Sequence, residues 1–160
     1  MQNRLLAAAL VLAVCACDSP SEVDDRWAVP ERIEYAPELQ VDLGSMNHTS
    51  TGLYWKDLVP GEGDTAAVGG NARVQFTAWL PDGTEIVTQA VEIEPLGYGL
   101  AIRAFDEGVV GMRVGGTRQL VAPPALAWGR NGNPDFGVPP LTTLIFEVER
   151  LTSIAHAPRN

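Results

Sequence analysis

The 160-residue sequence predicts an α+β domain, an antiparallel sheet with one short helix lying across one face. Three observations point there. Arg73–Leu80 and Thr143–Leu151 alternate with the period of a half-buried strand: Val74, Phe76, Ala78 and Leu80 share one face, and Leu144, Phe146 and Val148 oppose Ile145, Glu147 and Glu149. The period then changes where Ile102, Phe105 and Val109 fall at i, i+3 and i+7. The sixteen Gly and twelve Pro follow no collagen repeat and read as turns between short elements.

Residues 1–16 read as a secretory signal peptide. Arg4 is the only charge ahead of the apolar run Leu5–Val14, ten residues that cannot span about 30 Å of hydrocarbon at ~1.5 Å per residue. Asp18, Ser19 and Pro20 stop the run at once. Val14-Cys15-Ala16-Cys17 resembles a bacterial lipobox, which makes Cys17 the expected acylated residue; simple secretion is the alternative. Acylation on glycerol and on the amide supplies the two or more chains that stable anchoring needs. Residues 17–49 are rich in Asp, Glu, Ser and Pro, with apolar residues only singly, and read as an acidic tether lifting a domain off the membrane. Trp27, Ile33 and Tyr35 could instead pack on that domain.

The domain is expected over 50–152. Leu53–Val59 is a strand ended by Pro60-Gly61, and a Gly-rich turn runs over 61–71. Arg73–Leu80 and Glu85–Glu94 form a hairpin about Pro81-Asp82-Gly83-Thr84, which has Pro and Gly where turn geometry wants them. A helix over Ala101–Val110, closed by Gly111, buries Ile102, Phe105 and Val109 and leaves Asp106 and Glu107 wet. Thr117–Ala122 is a strand ended by Pro123-Pro124. The loop over 125–140 leads to the last strand, and 153–160 is a frayed tail.

Formal charge is −9, from 11 basic and 20 acidic residues. Phosphate-backbone binding needs a basic stripe, so the acidic balance argues against nucleic acid as a partner and against direct attraction to anionic lipid. Both cysteines lie ahead of the domain, so it holds no disulfide although its compartment would permit one, and Cys–His catalysis is excluded. His48 and His156 sit at the margins with no spaced partner, which argues against a metal site. No Ser stands at a nucleophile elbow. Gly97-Tyr98-Gly99 begins like a dinucleotide loop but continues to Ile102 outside any βαβ unit. No cofactor is implied. What stands out is apolar: Phe76, Ile102, Phe105, Trp128 and Phe146 come from four elements around the single helix, as core or as pocket.

The order of motifs resembles the FKBP-type peptidyl-prolyl isomerases from about Thr51 to Leu151. STGLYWKDL (50–58) is similar to the family's opening strand, Gly61-Glu62-Gly63 to its first turn and VQFTAWLPDGT (74–84) to its central hairpin. LGYGLAIRAFDEGVVGMRVGGTRQL (96–120) resembles the helix segment, and PPALAWGRNG (123–132), VPP (138–140) and TLIFEVE (143–149) complete the set in order. The resemblance implies a half-barrel sheet wrapped around one short helix, with an apolar cleft between them. Carried over by position, Phe76, Ile102, Phe105, Trp128 and Phe146 would be catalytic, and Ile86, Val87, Ala101 and Val138 would bind substrate. Ile86-Val87 replace the family's Phe-Asp, Trp128 a Tyr, Phe105 a Trp, Phe76 a Tyr and Ala101 a Val; each exchange removes polarity or size, apart from Trp128, whose indole N–H can still donate a hydrogen bond.

The implied activity is cis–trans isomerisation of X-Pro bonds in unfolded or flexible polypeptides of the bacterial cell envelope, on a domain lipid-anchored through Cys17 and facing the periplasm. A domain that holds proline-containing segments without useful catalysis is the alternative.

Overall fold

The computed structural model describes residues 25–99 and 101–154, with only the backbone described over 149–154. Residues 1–16, where a signal peptide is expected, and Cys17, His156 and the end of the tail lie outside the described residues.

Six strands form one antiparallel sheet: β1 (Asn47–His48), β2 (Tyr54–Val59), β3 (Asn71–Trp79), β4 (Glu85–Ile93), β5 (Thr117–Ala122) and β6 (Leu144–Ile154), in the spatial order β1-β2-β5-β6-β3-β4. The expected hairpin is β3–β4. Its turn is closed by Leu80 N–H to Thr84 O at 2.9 Å and tightened by Asp82, whose Oδ1 accepts from Thr84 N–H at 3.0 Å. The inner face carries Val74, Phe76 and Ala78 of β3, Leu120 and Ala122 of β5, and Leu144, Phe146 and Val148 of β6, all buried. The strand period places them there, since successive side chains point to opposite faces.

Helix α1 (Arg103–Gly108) lies on this face. It falls two residues short of the expected span at each end. Ile102 keeps non-helical backbone at φ −57°, ψ 130°, and the chain turns off at Gly111, whose φ is +81°. Gly108 permits the close approach: a Cβ there would meet both Leu120 methyl carbons at 2.7 Å. Arg118 of β5 secures the C-terminal end, its Nη1 donating to Gly108 O at 2.9 Å and to Val110 O at 3.3 Å, carbonyls that the helix itself leaves without partners. The other guanidinium edge grips Asp57 at 2.7 and 3.1 Å, and the group lies 4.0 Å over the Trp55 ring.

Two expectations are corrected. Asp106 does not face water. It is only 7% exposed, and its Oδ1 accepts the Gly97 N–H at 2.9 Å, because the chain ahead of a six-residue helix folds back over it. Nor is the stretch ahead of the domain a bare spacer throughout. Three single 3₁₀ turns, Pro30–Arg32, Pro37–Leu39 and Leu43–Ser45, lay residues 28–48 along the outer face of the sheet and end in β1.

Leu39 is buried there with Val121 and Ile145, and Tyr35, Ala36, Val41, Leu43, Met46 and Trp79 pack around them. Gln119 Nε2 donates to Leu39 O at 2.7 Å, and Ala36 N–H to Pro81 O at 2.9 Å. Trp27 packs against the inner core, its carbonyl accepting from Thr143 N–H at 2.7 Å. The segment has no helical or strand period because Pro opens two of its turns and each turn stops after three residues. The tail is shorter than expected, since β6 runs on to Ile154.

Candidate active site

Three phenyl rings from three elements meet between helix and sheet. Phe76 (β3) and Phe105 (α1) have ring centroids 4.6 Å apart at 55°; Phe146 (β6) lies 5.0 Å from Phe105 at 62° and 6.0 Å from Phe76 at 69°. These tilted and edge-on contacts are the favoured geometry for aromatic pairs. Strand alternation aims Phe76 and Phe146 inward, and the helix aims Phe105 at them.

Around this cluster stand half-buried apolar side chains: Ile86, Val87, Ala101, Ile102 and Trp128. Ile86 and Val87 are consecutive in a strand, yet both pack on the core. The ladder explains it: Ala78 pairs with Val87 and Trp79 with Glu85, so Ile86 is the extra residue of a β-bulge. Ala101 and Ile102 come from the bend that leads into α1. Trp128 follows the 3₁₀ turn Pro124–Leu126. Its loop is held by reciprocal bonds between Asn133 and Val138, both 2.9 Å, and by Leu141 N–H to Gly129 O at 3.0 Å. Val138 is buried beneath the loop.

Apart from Val138, which is 3% exposed and offers no surface to a substrate, the sequence-derived set divides in two. Phe76, Phe105 and Phe146 are only 3%, 2% and 0% exposed and form a closed floor. Phe146 supports the other two rings and presents no surface. Ile86, Val87, Ala101, Ile102 and Trp128 keep solvent-facing area and form the rim. None of these side chains carries a charge, so the site offers apolar surface with one hydrogen-bond donor, the Trp128 indole N–H. Among the described residues no cluster of His, Cys, Asp or Glu is arranged to hold a metal.

Sequence reasoning missed Phe136. It stacks on Trp128 with centroids 5.7 Å apart at 17° and is 39% exposed, so it widens the rim. A lone Phe in a Gly- and Pro-rich loop was the available signal.

The family model for FKBP-type peptidyl-prolyl cis-trans isomerases matches residues 63–151. An FK506-binding protein of Neisseria meningitidis serogroup B is 39% identical over 104 residues, covering 62% of this chain and 94% of that protein. The FKBP-type peptidyl-prolyl cis-trans isomerase FkpA of Escherichia coli is 34% identical over 128 residues, covering 79% of this chain and 46% of that one. The crystal structure of FkpA superimposes with a TM-score of 0.60 at 30% identity, over 73% of this chain and 55% of that chain. The matched stretch contains every floor and rim residue named above, and the chain belongs to the FKBP-type peptidyl-prolyl cis-trans isomerases.

Proposed function

We propose that this isomerase seats a proline ring against the Phe76–Phe105 floor and lets the preceding amide twist inside the rim of Ile86, Val87, Ala101, Ile102 and Trp128. The observation that carries the reading is the three-ring floor, closed to water and bordered by uncharged side chains. Rotation about an X-Pro amide meets a barrier of about 18–20 kcal/mol because resonance gives the C–N bond double-bond character. Planarity also places charge on the carbonyl oxygen, and water stabilises that charge. Stripping the water disfavours the planar state relative to the twisted one, in which resonance is broken. Each ~1.4 kcal/mol gained this way is a tenfold rate increase.

The floor rings are covered by their neighbours, so a proline reaches them when rim side chains rotate aside. Trp128 then donates a hydrogen bond from its indole N–H to a substrate carbonyl. The reaction needs no nucleophile or metal. The test is a protease-coupled assay on short Xaa-Pro peptides: the protein accelerates isomerisation above the spontaneous rate, and no acceleration at tens of micromolar protein refutes the reading. The closed floor and Val87, where the family has a carboxylate, favour a second reading, capture of proline-containing segments without catalysis. Peptide binding at an unchanged isomerisation rate would establish it.

We further propose that the protein works on clients of the cell envelope, anchored through acylated Cys17 and facing the periplasm. The lipobox-like Val14-Cys15-Ala16-Cys17 supports this, and among the described residues no helix is long and apolar enough to cross a membrane. Trp27 is already fixed to the domain, ten residue steps from Cys17, which limits the reach of the tether to about 35 Å at ~3.5 Å per residue. Cys17→Ser is expected to release the protein into the soluble fraction; retention in washed membranes refutes the anchor.

A further inference from the structure

We propose that Asp106 is a positioning residue for the isomerase, setting the Ala101–Ile102 wall of the cleft; this rests on the reading of the cleft as the site of rotation. Both ends of the loop over 97–102 close on this one residue. The Gly97 N–H donates to Asp106 Oδ1 at 2.9 Å, and the Asp106 N–H donates to Ile102 O at 3.3 Å. Between these points the chain carries Gly97 and Gly99 at φ +85° and +75°, a backbone with great conformational freedom. No side chain caps the first turn of α1. Backbone bonds tie Leu96 to Gly69 and Gly70 and Ile102 to the first helical turn, and the Asp106 carboxylate adds the side-chain tie that fixes Gly97 against the helix between them, and so bears on where the two wall residues stand.

The burial of that carboxylate argues for a task beyond stability. Asp106 is nine-tenths buried, and its Oδ2 has no hydrogen-bond partner among the described residues. An unpaired buried oxygen is costly, and an aliphatic side chain of the same size would avoid it. Groups that break a local rule of this kind gather at functional sites. Arg103 and Glu107 border the same hollow beside Gly97 and Gly99, but Glu107 is engaged by Thr51 and Arg103, which leaves Asp106 as the loop's side-chain tie.

The experiment compares kcat/KM on an Xaa-Pro peptide, with amide exchange at Gly97 read by NMR, in four folded variants. Asp106→Ala and Asp106→Leu both remove the acceptor, and the second keeps the branched shape and fills the site if the first fails to fold. Each is expected to lower kcat/KM about tenfold, equivalent to ~1.4 kcal/mol, and to speed exchange at Gly97. Asp106→Asn keeps an acceptor oxygen and restores both readouts to within about twofold, less than ~0.5 kcal/mol. Val121→Ala, in the outer core, loses stability without changing either readout. Wild-type kcat/KM in Asp106→Leu, or an equal loss in Val121→Ala, overturns the inference while leaving the cleft assignment standing. An inactive wild-type protein overturns both.

Discussion

Replacing Arg118 by Met should destabilise the domain more than replacing its ion-pair partner, because the guanidinium does two different jobs. The Arg118 side chain is 5% exposed, whereas that of Asp57 is 40% exposed. In Arg118→Met the Asp57 carboxylate regains water, so the lost ion pair weighs on the surface scale of at most ~1 kcal/mol. Gly108 O regains nothing. It sits at the buried end of α1 and loses a charge-assisted bond of about 1.5–3 kcal/mol. The stack over Trp55 adds on the order of 1 kcal/mol.

These contributions are not additive. The expected loss is about 3–4 kcal/mol, most of it from the unsatisfied Gly108 carbonyl and the lost stack. Asp57→Asn leaves the carbonyl cap intact and keeps an acceptor oxygen for the guanidinium, but it removes the counter-charge of a buried cation and should lose about 1–2 kcal/mol. Urea unfolding followed by tryptophan fluorescence measures both, with an unchanged m-value confirming a comparable unfolding transition. A loss below about 1 kcal/mol in Arg118→Met, or equal losses in the two variants, would show that the helix cap does not matter.

Leu39→Ala opens the outer core and should lose about 2 kcal/mol, seen as a fall in Tm of roughly 8 °C; an unchanged Tm would mean that residues 28–48 are only tether. The hydrogen bond from Tyr54 holds the Glu31 carboxyl below its usual range and, reciprocally, Glu31 pushes the Tyr54 phenol up. The depressed Glu31 contributes stability above about pH 4.3 that is lost as pH falls through its folded value, and the raised Tyr54 contributes stability below about pH 10 that is lost as pH climbs through its own. Tyr54→Phe should flatten both limbs by less than ~1 kcal/mol, since both groups are exposed; equal pH profiles of urea stability would refute the coupling. Combining Val87→Asp with Trp128→Tyr restores the polar groups that the family carries and should raise kcat/KM severalfold; an unchanged rate would mean that their absence does not limit catalysis.

The sheet was legible because alternation is a direct readout of strand geometry: β3, β5 and β6 lie where Val74–Phe76–Ala78, Leu120–Ala122 and Leu144–Phe146–Val148 put them. Helix α1 was legible in position, but its ends depend on capping geometry that the Ile102–Phe105–Val109 spacing does not encode. The paired inward turn of Ile86 and Val87 comes from a bulge, which needs the register of the partner strand. The covering segment 28–48 was harder, because three-residue 3₁₀ turns leave no period. Its signature lay instead on the sheet: Val121 and Ile145 are apolar on the face opposite the helix, and such residues need a cover. The burial of Asp106 and the closure of the phenyl floor are products of tertiary packing, invisible in the local pattern.

The most direct measurement of the central claim is NMR exchange spectroscopy on a short Xaa-Pro peptide with a catalytic amount of protein, comparing wild type with Ile102→Asp, which puts a hydrated charge on the rim. Faster cis–trans exchange with the wild type, and at least a tenfold smaller acceleration with the folded variant, a difference of ~1.4 kcal/mol, is the expected result. Equal acceleration by both proteins, or none by the wild type, would contradict an apolar, water-excluding cleft as the source of catalysis.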